Sequence, residues 1–482
     1  MIQVSPLPNI VIFIADEMRG DVVSLEKKCN SIIKTPNIDQ LAKDGAAFTN
    51  CFTVNPVCAP SRCCTFTGQY VHSNAHRSLY YLLQPFEENL FKLLKEKGYE
   101  INWIGRNDLF SKKAISQSIS KRIPMKIRSI KTNPFPKDHR LRKSFYFGET
   151  NPEHAEDIDH YIIKNAIEYL EKKPSNPFCL YLAFSLPHPP YTVEEPYFSM
   201  YDRNEVPPPI PPKLDDKPEF MRIIHERYGL DKLNKEDFRE IIATYYGMIS
   251  KLDFNVGQII QKLKELGEYE KTAILFLSDH GDFMGDYGLT EKWPNSFQDS
   301  LIKVPLVMKI PGIESKDKIY EELVETIDIF PTILDIAHVE TKYTHFGKSL
   351  IPLLKSEVKI HRNAVFAEGG YDPREPQCFE NVIKNPDVPV AGIYYDKTNI
   401  PQEKPSTVSR SVMIRTKLWK LILRDNDKEE LYDLMYDPNE INNLINIHAY
   451  NNIKADLKEN LLRWYLKTSD NADWRRGRYI LD

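Results

Sequence analysis

Asn9-Ile10-Val11-Ile12-Phe13-Ile14-Ala15-Asp16 is an unbroken apolar run that ends in a carboxylate. A strand with one wet face alternates apolar and polar residues. A run without alternation belongs to a strand covered on both sides, as parallel strands of an α/β sheet are. Asp16, Glu17 and, after a turn, Asp21 follow at once. In open α/β sheets the chemistry collects outside the carboxyl ends of the strands. Asp16 and Glu17 are therefore the first candidate site residues.

The same pattern recurs along the chain. Residues 101–104, 178–184, 272–277 and 304–310 read as further buried strands. Thr35-Pro36 opens a helix that Gly45 closes, and residues 86–97, 156–172 and 235–266 read as helices, the last with a break at Gly247 or Gly257. Strands alternating with helices predict an α/β fold: a parallel or mixed sheet covered on both faces. The strand ends carry polar clusters at Asp16-Glu17, 105–108, 187–190 and Asp279-His280. The proline-rich stretch 186–214 reads as an extended surface loop. The basic stretch 112–143, with Asp138 as its acid, reads as a solvated loop or as a rim that draws in anions.

Composition narrows the function. The 482 residues are 41% hydrophobic and 27% charged, which is globular, and the net charge of -4 argues against a nucleic-acid partner. Residues 10–15 are too few to span a bilayer and lack the flanks of a secretory signal, so no membrane association and a cytoplasmic location are the expectation. The seven cysteines include the adjacent Cys63 and Cys64, so reduced thiols are expected.

Cys58-Ala59-Pro60-Ser61-Arg62 is the stretch richest in chemistry. Pro60 suits the first turn of a helix and Gly68 its end, which places Cys58 at the N-cap. Free N–H groups and the positive end of the dipole lie there, a setting that binds anions and lowers a thiol pKa. Arg62 returns to the same side one turn later.

This pentapeptide resembles the signature of the type I sulfatases, whose cysteine is oxidised to formylglycine. Other motifs resemble the family in the same order. Asn9 to Asp16 is similar to its first strand and metal aspartate. Pro187-His188-Pro189-Pro190-Tyr191 is similar to its histidine loop. Ser278-Asp279-His280-Gly281-Asp282 with Lys292 is similar to its second metal motif. Asp328 to Ala337 and Leu431-Tyr432-Asp433-Leu434 are similar to its later signatures.

The resemblance implies an alkaline-phosphatase-like α/β sandwich: a large, mostly parallel mixed sheet in a catalytic domain, residues 1–355, and a smaller unit with an antiparallel sheet and helix, residues 356–482. It implies a sulfuric ester hydrolase acting on a small anionic sulfate ester, of an organic or sugar alcohol, after a maturation enzyme has oxidised Cys58. It admits a homo-oligomer. One divalent ion is implied on Asp16, Glu17, Cys58, Asp279 and His280, with calcium expected and manganese or another divalent ion as alternatives. Arg62 would stabilise the deprotonated diol, and His188 and Lys292 would contact the ester oxygen and sulfate, with His188 as general acid.

Three departures stand out. Glu17 and His280 replace the aspartate and asparagine many members carry. Glu17 either ligates or acts through hydrogen bonds, and His280 admits metals other than calcium. Arg106 and Asp108, the candidate substrate-binding pair, replace a lysine and a histidine of arylsulfatases. The Asp-His pair also occurs in phosphonate monoester hydrolases. A phosphonate monoester or phosphodiester hydrolase, and a binding protein whose Cys58 stays unmodified, are the alternative readings.

Overall fold

The computed structural model describes residues 7–23, 32–124, 133–150, 158–174, 177–372, 374 and 391–470. The first residues of the expected helix 156–172, part of the basic stretch, Cys29 and Cys378 lie outside them. In chain order the strands are β1 (Asn9–Asp16), β2 (Ala46–Phe52), β3 (Glu100–Gly105), β4 (Lys121–Pro124), β5 (Tyr146–Glu149), β6 (Phe178–Pro187), β7 (Tyr191–Val193) and β8 (Thr272–Ser278). They continue with β9 (Lys303–Lys309), β10 (Lys318–Tyr320), β11 (Val324–Glu325), β12 (Val365–Gly369), β13 (Ser411–Arg415), β14 (Trp419–Arg424) and β15 (Glu430–Asp433).

The main sheet runs β10-β2-β9-β8-β1-β6-β3-β4, with β11 also on β2. From β8 to β4 all neighbours are parallel, while β9 is antiparallel to both β8 and β2. The sheet is mixed, as the sequence pattern allows. Successive residues of β1 point to opposite faces: Val11, Phe13 and Ala15 enter one core, and Ile10, Ile12 and Ile14 enter the other. That two-sided burial is why the run shows no alternation.

Register builds the site. Ala15 lies opposite Ser278 and Asp16 opposite Pro187. The residues that leave the sheet next, Asp16, Glu17, His188 and Asp279, are thereby delivered to one place from three strands.

Several expectations change. The helix Lys235–Glu265 runs unbroken through both glycines. Each is instead a point of close approach: a Cβ at Gly247 would lie 2.4 Å from the Tyr197 carbonyl oxygen, and one at Gly257 2.4 Å from the Asn37 amide. The helix expected at 86–97 is shorter, Leu90–Glu96, because the Asn89 side chain accepts from the Lys92 N–H and starts it late. The stretch 186–214 is not simply a surface loop. It contains β7, and Tyr191, Val193, Tyr201 and Val206 are buried in the core. The described part of the basic stretch is partly committed to structure, Arg140 to Asp237 and Lys143 to Asp396. Cys51, Cys58, Cys63, Cys64 and Cys179 are free and buried.

Strands β12 to β15 form a separate antiparallel sheet. The helix Asn451–Thr468 covers it, with Trp464 stacked on Phe366 at 4.6 Å. Its core includes Cys64 and Tyr70, so the small sheet supports the helix that begins at Cys58. The helix Ala391–Glu403 places Ile393 and Ile400 in the core of the large sheet instead. No helix among the described residues is long and apolar enough to cross a membrane.

Asp328 anchors the connection between the two sheets. Its carboxylate, fully buried, accepts from Arg362 Nε at 2.9 Å, the Lys348 N–H at 2.7 Å, the Glu325 N–H at 3.0 Å and His361 Nε2 at 3.0 Å. Arg362 also pairs with Glu325 at 3.1 Å. Removing one partner from a buried pair costs about 3–5 kcal/mol because the other charge is stranded. Arg362→Met should lose about that much by urea denaturation. A loss under about 1 kcal/mol would show that the connection is held elsewhere.

Candidate active site

The helix Cys58–Thr67 begins one residue earlier than expected. Val57 is its N-cap and Cys58 its first helical residue. The Val57 N–H bonds the Asn55 side chain, which fixes the entry. Cys58 is 2% exposed, and its Sγ lies 3.2 Å from His280 Nε2 and 3.5 Å from Asp16 Oδ1. A lowered thiol pKa is the wrong expectation. Burial, and then the Asp16 carboxylate, push the thiol well up, and Lys292 does not offset them. Unmodified Cys58 is a neutral thiol, not a poised thiolate.

Arg62 holds the cluster from behind. Its Nε donates to Asp279 Oδ2 at 2.8 Å and its Nη2 to Asp16 Oδ2 at 3.0 Å, with all three side chains fully buried. Burial alone would raise the Asp279 carboxyl, but Arg62, His280 and the Glu17 N–H together hold it below its ordinary range. Asp279 Oδ1 accepts from the N–H groups of Glu17 and His280. Ser61, one residue before Arg62, donates to the Asp279 carbonyl at 2.6 Å.

His280 faces inward in a defined tautomer. Its Nδ1 lies 2.8 Å from the Gly281 carbonyl, an acceptor only, so Nδ1 carries the proton and Nε2 presents a lone pair toward Cys58. Ligand atoms of Asp16, Cys58, Asp279 and His280 all lie within 4.8 Å of one another, and a second set joins Asp16, Glu17 and His188.

Glu17 is set between the two. It sits in the left-handed region at φ 70, a cost a non-glycine residue bears only where its surroundings impose it. Tyr245 imposes it here by donating to the Glu17 carbonyl at 2.6 Å. Oε2 accepts from Lys292 Nζ at 2.7 Å, while Oε1 is buried with no hydrogen-bond partner. Burial raises the Glu17 carboxyl well above its ordinary range, Lys292 opposing and Glu291 adding. A buried carboxylate oxygen with no hydrogen-bond donor fits a cation as its partner. The donor set of carboxylates and one imidazole suits a divalent ion.

The remaining sequence candidates converge on the same place. Arg106 follows β3 and bridges Asp16 Oδ2 at 2.8 Å and Asp108 Oδ2 at 3.2 Å. Asp108 is thus engaged by Arg106. His188 Nδ1 donates to the Pro189 carbonyl at 2.7 Å, and its Nε2 accepts from Lys292 Nζ at 3.2 Å. Lys292 is 5% exposed and donates to Glu17 and to Glu291 Oε1, the latter at 2.9 Å.

Sequence reasoning did not single out Glu291 or Lys397. Glu291 adjoins Lys292, which is a local signal, but Lys397 arrives from a helix over a hundred residues away and has none. Burial would raise the Glu291 carboxyl, but Lys292 and Lys397 hold it down at about 2. Tyr191, donating to both oxygens of Asp282 at 2.7 and 2.8 Å, is a further support.

A sulfatase family model matches residues 8–339, and a model for the C-terminal region of N-sulphoglucosamine sulphohydrolase matches residues 377–467. The chain is 26% identical to an arylsulfatase of Clostridium perfringens, over 92% of this chain and 91% of that protein. It is 26% identical to the multifunctional alkaline phosphatase superfamily protein PehA of Trinickia caryophylli, over 96% of each. The solved phosphonate monoester hydrolase of Agrobacterium radiobacter matches with a TM-score of 0.75 at 22% identity, over 96% of each chain, which is a likeness of fold.

The His188 environment gives a pH prediction. Burial, then Lys292 and Arg106, lower its imidazole pKa well below the ordinary value of about 6.5. The folded state therefore binds fewer protons than the unfolded one. The resulting stability is full above about pH 6.5 and falls as pH drops below it. In ¹⁵N NMR of the metal-free protein, Nε2 of His188 should remain unprotonated at about pH 6. An imidazolium signal there would contradict the assigned hydrogen bonds.

Proposed function

The chain belongs to the sulfatase family, a sulfuric ester hydrolase on the α/β sandwich of the alkaline phosphatase superfamily, and on that premise we propose that it hydrolyses a small sulfate ester at the Cys58 cluster. One observation carries the reading: Cys58, on the first turn of a helix, lies against Asp16 and His280, and Arg62 of the same helix locks Asp16 to Asp279. The Cys58-Ala59-Pro60-Ser61-Arg62 motif supports oxidation of Cys58 to formylglycine by a separate maturation enzyme, and the thiol itself, pushed up by burial and Asp16, is a poor nucleophile at neutral pH. The hydrated aldehyde would supply a hydroxyl to attack sulfur and a second to release the sulfate.

Asp16, Asp279 and His280 would hold one divalent ion, with the bare Glu17 Oε1 as a further donor. The ion would supply Lewis acidity to the nucleophile and sulfate oxygens, and calcium or manganese suits the donors. The protein's own cations then share the negative charge. Arg62 fixes one behind Cys58. Lys292 brings another to the side where His188 lies, and Arg106, whose side chain is 22% exposed, brings a third at the mouth. Asp108 orients Arg106. His188 Nε2 accepts from Lys292 Nζ, so the proton held between them sits on the ammonium, which would give it to the departing ester oxygen. This moves the resting proton from His188, its expected place, to Lys292.

Similarity to a protein described as multifunctional, together with the fold shared with a phosphonate monoester hydrolase, supports a second reading, a phosphonate monoester or phosphodiester hydrolase. Esters sharing one leaving group separate the two. On 4-nitrophenyl sulfate, kcat/KM should exceed that on 4-nitrophenyl phenylphosphonate, and removing metal with a chelator should abolish both. Faster phosphonate turnover would favour the second reading. Full turnover by protein shown metal-free by elemental analysis would remove the ion from the account.

A further inference from the structure

Lys292 is held by a complete set of partners, and one of them, Glu291, is held in turn by Lys397. An ammonium has three protons, and here they meet three acceptors: Glu17 Oε2 at 2.7 Å, Glu291 Oε1 at 2.9 Å and His188 Nε2 at 3.2 Å. Glu291 is itself fixed in place. It is buried, sits at φ 63, and its N–H donates to the Tyr191 hydroxyl at 2.9 Å. A left-handed backbone at a non-glycine residue is a cost that only its surroundings sustain. It aims the carboxylate between two ammonium ions. Lys397 Nζ donates to Oε1 at 2.9 Å and to Oε2 at 3.0 Å, and the Lys292 N–H donates to Oε2 at 2.8 Å.

Lys397 stands on the helix Ala391–Glu403. That helix is anchored on the catalytic side by Ile393 and Ile400 in the core and by Asp396, which takes Lys143 Nζ at 2.6 Å. A second lysine gives Glu291 a cation of its own: Lys397 reaches both of its carboxylate oxygens, which leaves Lys292 free to meet Glu17 and His188 as well. Without it, Glu291 has Lys292 as its one remaining cation among the described residues. It would draw the ammonium away from Glu17 and His188 and cancel the charge meant for the ester.

We propose that Glu291 and Lys397 are positioning residues for Lys292, so that the helix Ala391–Glu403 sets the charge at the reacting ester. This rests on the reading that Lys292 serves sulfate-ester hydrolysis. The test is a double-mutant cycle on 4-nitrophenyl sulfate, whose good leaving group keeps impaired variants measurable. Lys397→Met should lower kcat about tenfold, with a smaller change in KM, and Lys397→Arg should recover most of it. In a Lys292→Ala background the same Lys397→Met change should alter kcat less than about twofold. A purely structural role would cost the same factor in both backgrounds and would overturn the proposal. So would an unimpaired Lys397→Met alongside an impaired Lys292→Ala. A fully active Lys292→Ala is a separate outcome: it overturns the role given to Lys292 and the positioning role with it. Near-UV circular dichroism establishes that each variant is folded.

Discussion

The guanidinium of Arg62 lies between Asp16 and Asp279, at 3.0 and 2.8 Å, with all three side chains fully buried. Two carboxylates at the ends of neighbouring parallel strands would repel each other in a dry interior. One planar cation reaching both turns that repulsion into a lock. Because Arg62 sits one turn after Cys58, the lock also sets where Cys58 stands. The ends of β1 and β8 and the start of the Cys58–Thr67 helix are thereby fixed as one object.

The other charges follow from that arrangement. With Asp16 and Asp279 satisfied by Arg62, Glu17 must find its own cation, and Lys292 provides it. Lys292 in turn faces His188, whose imidazole burial and then Lys292 keep neutral, and Lys292 is steadied by Glu291, which Lys397 holds. Alternating signs run from the centre of the sheet to the helix Ala391–Glu403. The small sheet contributes separately, through Cys64 and Tyr70, by bracing the helix that carries Cys58.

The central strands were legible because burial on both faces leaves an unmistakable apolar run, and β1 and β8 appear where that pattern places them. The site residues beyond them were legible for a related reason: parallel strands in register bring their following residues together, here Asp16, His188 and Asp279. What failed depends on neighbours distant in sequence. Gly247 and Gly257 look like helix breakers until Tyr197 and Asn37 are seen pressed against them. The helix start at Cys58 gave the wrong sign for its thiol, since full burial beside Asp16 outweighs the helix. Lys397 carries no local mark of its role, because the carboxylate it meets belongs to a loop far earlier in the chain.

The central claim is that Cys58 is the reacting position and acts after oxidation. Mass spectrometry of the tryptic peptide containing residue 58, from active enzyme made in a host with the maturation enzyme, tests it most directly. The account predicts a peptide about 18 Da lighter than the unmodified sequence, the change from thiol to aldehyde. An active preparation whose Cys58 peptide has the unmodified mass throughout would contradict it.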